Sequence, residues 1–295
     1  MTYAIPSDVA MLDTDRNGYV DRLYVGDVGG RMWRFDVSDP NVGNWTGRIL
    51  FKSNDASSHR KILYRPDMTR ESGYYILFFG TGDREHPLDA TAICNADGTG
   101  NCDRIYGVKD VDGSTAMLTE SDLVNVTVDD LQVTASGTQV TNDLADLAAK
   151  SGWFIALNAF GPGEKVVSAA SLFNGVVSIS TFQPTTSGTP DPCLADVGIG
   201  RVYEVNYLTG ESVFNYDTTN DGGYSSETNA RAQGGKNEVL KRSDRVKTVG
   251  AGIPSQVGTG TCDVMAIAGV GGGVAGLNAK CGGTTQRLFW RELFQ

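Results

Sequence analysis

Short runs of strand character, some alternating apolar and polar with a period of two, recur along this chain and are closed by glycine, proline, asparagine or aspartate. That period sends successive side chains to opposite faces of a strand. Residues 23–27 and 31–37 form the first such runs, joined by a turn at Gly29 and Gly30. Asp39-Pro40 breaks the second, and 48–52 resumes the pattern. Residues 74–80 are apolar or aromatic throughout and of strand length, with a turn at Thr81-Gly82-Asp83. Further strands are predicted at 104–109, 152–157, 165–170, 175–183 and 201–207. A hairpin turn at Thr209-Gly210-Glu211 leads to a return strand at 212–216. Residues 264–270 and 274–279 flank the Gly271-Gly272-Gly273 turn, and 287–293 forms the last strand.

One segment predicts a helix, 142–151, with Asn142 as N-cap, leucines at 144 and 147, and Gly152 just beyond its end. Polar loops are expected at 89–103, 185–192 and 217–248. The fold class is therefore all-β with one short helix. A unit of roughly 40–60 residues recurs at about 8–52, 61–109, 152–215 and 249–293. This favours a β-propeller over a sandwich, in a single domain over 1–295. About four units are few for a closed ring, so an incomplete or C-terminal portion of a longer propeller is expected.

The stretch with the most specific chemistry precedes the first strand. Asp13-Thr14-Asp15-Arg16-Asn17-Gly18-Tyr19-Val20-Asp21 reads D-x-D-x-N-G-x-x-D. Asp13, Asp15, Asn17 and Asp21 fall at loop positions 1, 3, 5 and 9 with Gly18 at position 6, the ligand spacing of a calcium loop. A loop of this kind curls so that its oxygens converge, and a cation removes their mutual repulsion. No glutamate follows at position 12, where Tyr24 sits, and a strand follows in place of a helix. The loop is thus a nine-residue clip between strands, predicted to bind Ca²⁺. The competing reading is a solvated Asp/Asn turn. The acidic turns around Asp97, Asp110 and Asp217 have poorer spacing and read as ordinary turns.

Composition narrows the function. Among 295 residues, 25 Lys and Arg face 35 Asp and Glu, a net charge of −10. Such a surface is wrong for nucleic acid, which needs basic residues against its phosphates. No apolar run approaches the ~20 residues of a membrane span. Residues 1–10 have no charged or apolar character of a signal peptide. Five cysteines nonetheless suggest an oxidising compartment. Cys94 and Cys102 bracket a small polar loop and suit a local disulfide. Cys193, Cys262 and Cys281 allow several pairings, and buried free thiols are the alternative throughout. An exported chain without an export signal is expected to be part of something longer.

No catalytic constellation stands out. His59 and His86 are isolated in polar loops, and no G-x-S-x-G occurs. The glycines at 271–273 lack the lysine of a phosphate loop. Trp33, Trp45, Trp153 and Trp290 read as aromatics that pack between sheets. A non-enzymatic protein is expected.

Several stretches in order resemble one family. Ile5-Pro6-Ser7-Asp8-Val9 leads into the 13–21 loop, then Leu23-Tyr24-Val25-Gly26-Asp27 and Arg31-Met32-Trp33-Arg34-Phe35-Asp36. Leu77-Phe78-Phe79-Gly80-Thr81-Gly82, Gly152-Trp153-Phe154-Ile155 and Gly163-Glu164-Lys165-Val166-Val167 follow. Thr181-Phe182-Gln183-Pro184, Gly200-Arg201-Val202-Tyr203-Glu204-Val205, Leu208-Thr209-Gly210 and Trp290-Arg291-Glu292-Leu293 complete the set. Together they resemble the C-terminal propeller of the PilY family of type IV pilus biogenesis factors and tip adhesins.

The resemblance implies a modified quinoprotein-dehydrogenase-like β-propeller whose calcium loop couples metal occupancy to pilus extension and retraction. It places metal ligands at Asp13, Asp15, Asn17 and Asp21, with Tyr19 adding its backbone carbonyl. It implies a role in adhesion and twitching motility. Partners would be pilus components such as minor pilins, or a host surface. The location would be the cell surface or pilus tip of a Gram-negative bacterium, reached through the periplasm. The family's N-terminal adhesive region and first blades have no counterpart in these residues. Two alternatives from other classes are a quinoprotein-type oxidoreductase fragment and an integrin-like metal-dependent adhesion module.

Overall fold

A computed structural model describes residues 2–53, 60–128, 131, 137–185, 198–217 and 240–258, and the strands at 265–268 and 274–277. The strands begin with β1 (Ala10–Leu12), β2 (Arg22–Gly26), β3 (Arg31–Asp36) and β4 (Thr46–Lys52). Next come β5 (Asp67–Glu71), β6 (Tyr74–Gly80), β7 (Arg104–Val111), β8 (Leu118–Thr119) and β9 (Val124–Asn125). After helix α1 (Gly137–Ala149) follow β10 (Gly152–Ala156), β11 (Lys165–Val166), β12 (Ser171–Phe173), β13 (Val176–Gln183) and β14 (Ile199–Asn206). The last are β15 (Val246–Ala251), β16 (Met265–Ala268) and β17 (Val274–Leu277).

These strands form sheets in chain order. The first runs β1-β2-β3-β4-β8 and the second β5-β6-β7-β10-β9. The third runs β11-β13-β14-β15, with β12 also on β13, and β16 pairs with β17. Within the first two sheets the meander strands are antiparallel, and the short β8 and β9 add parallel edges.

The second sheet explains the unbroken apolar run Tyr74-Tyr75-Ile76-Leu77-Phe78-Phe79-Gly80. Tyr75, Leu77 and Phe79 pack with Tyr24, Met32, Leu50 and Phe51 of the first sheet. Ile76 and Phe78 pack with Val177, Ile179, Tyr203 and Val205 of the third. Both faces of β6 are covered, so alternation disappears from its sequence. β10 divides in the same way, with Phe154 in the first cluster and Trp153 and Ile155 in the second. On the far face of the third sheet, Val202 meets Val257 and Leu277. The sheets therefore stack face to face in series, and no closed ring of sheets is present among the described residues.

Other expectations shift at their edges. Helix α1 begins at Gly137, ahead of the expected start, so Asn142 lies inside it and is no N-cap. Val140, Leu144 and Leu147 share one face and meet the second core cluster. Lys109 closes the helix's C-terminal end, its Nζ donating to Leu147 O at 2.7 Å and Lys150 O at 2.8 Å. Burial pushes the Lys109 ammonium down from its ordinary value.

Residues 152–156, grouped by spacing with the third unit, are the fourth strand of the second sheet. The expected return strand at 212–216 reduces to one bridge, Val205 to Ser212. Its place on β14 is taken by β15, which pairs from Ile199–Ala251 to Tyr203–Val246. β15 itself was hidden, because it begins inside a long polar stretch.

The local disulfide is present between Cys94 and Cys102. The carbonyls of its loop are held by Arg60, which donates to Cys102 O and Gly100 O, and by Arg104, which donates to Gly98 O. Both arginines pair with Glu120. Cys193, Cys262, Cys281, His59, Trp290 and the strand expected at 287–293 lie outside the described residues. No helix among the described residues is long and apolar enough to cross a membrane.

Candidate metal centre

The 13–21 loop joins β1 to β2 at the edge of the first sheet. Its ends meet through Asp21 N–H, which donates to Leu12 O at 2.8 Å. Asp21 O in turn accepts from Val37 N–H at 2.7 Å, tying the loop to the end of β3. Inside the loop each acidic side chain takes backbone donors. Asp13 accepts from the N–H groups of Arg16 at 2.6 Å, Asn17 at 3.2 Å and Gly18 at 2.8 Å. Asp15 accepts from Asn17 N–H at 3.0 Å. The chain turns through Gly18 at φ 89°, a left-handed conformation that glycine adopts at little cost.

Asp21 is the buried member. It accepts from Thr14 Oγ1 at 2.5 Å and Thr14 N–H at 2.6 Å. The Thr14 hydroxyl, then its backbone N–H, hold the Asp21 carboxyl below the usual carboxylate range. Thr14 is a positioning residue that the ligand pattern passes over, because it occupies an unassigned second position.

The three carboxylates fit a divalent ion. Asp13, Asp15 and Asp21 each offer an oxygen, and these atoms all lie within 4.8 Å of one another. Ligands on opposite sides of a calcium ion at about 2.3–2.6 Å stand about 5 Å apart. The donor set is all oxygen, as a hard cation requires. Asn17 lies against Asp15, with Nδ2 donating to Asp15 Oδ2 at 2.9 Å, while its Oδ1 accepts from Tyr19 N–H at 2.8 Å. The Tyr19 ring faces solvent.

Other acidic residues do different work. Asp97 accepts from Thr99 N–H and hydroxyl in an ordinary turn. Asp27, fully buried, accepts from Gly29 N–H, Arg31 N–H and Trp33 Nε1 and fixes the β2–β3 turn. Asp110 belongs to no turn. It sits at the end of β7, fully buried, and receives Arg34, Arg48 and Tyr24 from the first sheet. The sequence reads it as part of an ordinary acidic turn and so misses it.

A second charged cluster lines a cavity of about 340 Å³ beside the disulfide loop, with Lys61, Asp83, Asp103 and Lys165. Lys165 Nζ is spent on three carbonyls, His86 O, Pro87 O and Asp89 O. His86 is exposed and pairs with Asp83 at 2.9 Å. Burial raises the Asp103 carboxyl to about 6, against the pull of Thr81 and Lys165. The folded chain then holds a proton on Asp103 that the unfolded chain releases from about pH 4. Asp103 therefore costs stability as pH rises from about 4 to 6, and the cost is complete above that. Asp103→Asn should gain stability relative to the parent chain across that window, measured by urea denaturation at pH 4, 5, 6 and 7. A constant difference between the two at all four values would contradict this.

The fold is an all-β, multi-sheet domain with one helix and an acidic loop at its first hairpin. No family model matches the chain. The type IV pilus biogenesis factor PilY1 of Pseudomonas aeruginosa is 27% identical over 248 residues, covering 69% of this chain and 20% of that protein. A PilY1 homolog of Xylella fastidiosa is 26% identical over 301 positions, covering 98% of this chain and 22% of that protein. The crystal structure of the P. aeruginosa PilY1 C-terminal domain superposes with a TM-score of 0.56 at 17% identity, covering 91% of this chain and 60% of that one. In sequence the chain is thus similar to PilY1 and its homologues, and in fold to the PilY1 C-terminal domain. The chain spans about a fifth of the length of these curated relatives.

Proposed function

We propose that this chain is a calcium-binding β-propeller domain acting in type IV pilus biogenesis, with no catalysis of its own. The observation that carries the reading is the convergence of Asp13, Asp15 and Asp21 within 4.8 Å on a loop whose backbone donors already orient them. Asn17 and the Tyr19 carbonyl would complete the shell. The serial stacking of sheets in chain order supports blades, and the names of the relatives support pilus assembly.

The ion would offset the repulsion among three carboxylates and lock the β1–β2 hairpin to the end of β3. Occupancy would then stiffen the edge of the first blade, where minor pilins or a host surface would bind. In this reading calcium biases pilus extension against retraction and so supports adhesion and twitching motility. The domain would work at the cell surface or pilus tip after export through the periplasm.

Calcium at about 100 times its dissociation constant should raise stability by about 2.7 kcal/mol, and chelation should remove the gain. Asp15 is exposed, so Asp15→Asn should leave the fold intact while weakening calcium binding at least about tenfold, since affinity follows ligand charge. Calorimetry and melting with and without calcium read both effects. Unchanged affinity in Asp15→Asn would remove the site. Lost binding with normal extension and retraction in cells would keep the site and reject the mechanism.

A further inference from the structure

The Trp expected to pack between sheets at position 45 does not do so: it is 47% exposed, and the nearby Tyr19 ring is 77% exposed. Both line one groove of about 410 Å³. Tyr19, Val20 and Asp21 of the acidic loop line it from one segment, and Asp39, Pro40 and Trp45 from another.

The second segment is rigid for an exposed turn. Trp45 Nε1 donates to Asp39 O at 2.8 Å, and Trp45 N–H donates to Val42 O at 3.1 Å. The Asp39 carboxylate accepts from Asn41 N–H at 2.7 Å and Asn44 Nδ2 at 2.8 Å. These bonds, Asn44 first, hold Asp39 ionised below the usual carboxylate range. One short turn thus holds an exposed indole, through Asp39 O, and the Asp39 carboxylate, through Asn41 and Asn44.

We propose that this groove binds an arginine or lysine side chain presented by a partner polypeptide. Cations are attracted to the faces of Trp and Tyr rings, and a carboxylate beside the ring supplies the counter-charge. Among the described residues, no Lys or Arg lines the groove. The chain as a whole carries −10. An ion in the loop offsets two of its three carboxylate charges, and Asp39 adds another, so the rim stays acidic. The prebuilt turn lowers the ordering cost of binding. The inference rests on the calcium reading only for the order of the Tyr19 segment.

The test uses the whole chain in saturating calcium. A five-residue peptide of alternating glycine and arginine is titrated while the backbone amides of Asn41, Gly43 and Asn44 are followed by NMR. Saturable shifts are expected, absent with the glutamate counterpart, and weakened by 0.5 M salt as charge screening requires. Trp45→Ala and Asp39→Asn should each weaken binding about three- to tenfold. The salt response is read in the parent chain, so it stands even where a substitution disturbs the turn. No shift, equal shifts with the glutamate peptide, or equal shifts with methyl glucoside would overturn the proposal. Calorimetry with calcium separates the two readings. Calcium heat without a groove response sinks the groove. A groove response without calcium heat sinks the metal reading and leaves the groove standing.

Discussion

Asp110→Asn should destabilise the chain by about 3–5 kcal/mol, the cost of stripping one partner from a buried ion cluster. Polar groups from three strands of the first sheet converge on Asp110. Arg34 Nη1 reaches both of its oxygens at 2.9 Å, Arg48 Nη2 reaches Oδ1 at 3.0 Å, and Tyr24 donates its hydroxyl at 2.6 Å. Arg22 Nη1 stands 3.8 Å away. Asp110 lies on β7 of the second sheet, while its three donors and the ion-paired Arg22 lie on β2, β3 and β4 of the first. Asparagine keeps the shape but removes the charge and turns an amide N–H₂ toward guanidinium groups. Arg34, largely buried, would then keep only Asp36. Urea denaturation reads the effect as a fall in midpoint at constant slope. Adding Arg34→Met to the variant should recover part of the loss, because the two residues share one network. A loss below about 1 kcal/mol would mean that the sheets are held by the apolar cluster alone.

This seam marks the limit of what the residues disclose in order. The convergence of Asp13, Asp15 and Asp21 was legible because it is local: the three fall within nine residues, on a turn that passes through Gly18. Strands with one covered face were legible from alternation, and β6 from its length and aromatics. The Cys94–Cys102 bridge was legible because its loop is short. Asp110 was not, since its donors are 62 to 86 residues away in sequence and nothing local marks it as buried. β5 and β15 were hidden by their polar composition, which edge positions tolerate. The grouping of β10 failed for the same reason as Asp110. A strand's sheet is decided by which edge is free, and β7 offered an edge that the spacing of repeats does not show.

The opposite seam is apolar, and there Trp153→Ala should cost about 3–5 kcal/mol. Trp153 is fully buried on β10 and belongs to the cluster between the second and third sheets. Its Nε1 donates to Tyr207 O at 3.0 Å, reaching the turn beyond β14. The neighbouring strand makes room for it: a Cβ on Gly107 would stand 2.6 Å from the indole. That close approach explains a glycine in the middle of β7, where strand propensity disfavours one. Alanine would leave a cavity the size of an indole between two sheets that are rigid in their own hydrogen bonding, so little collapse can refill it. Trp153→Phe separates the contributions, since it keeps a ring in the cluster and loses the bond to Tyr207 O. Its cost should be clearly smaller than alanine's, read as urea midpoints for both variants. Equal costs for the two would assign the seam to the Tyr207 hydrogen bond and not to the packing of the ring.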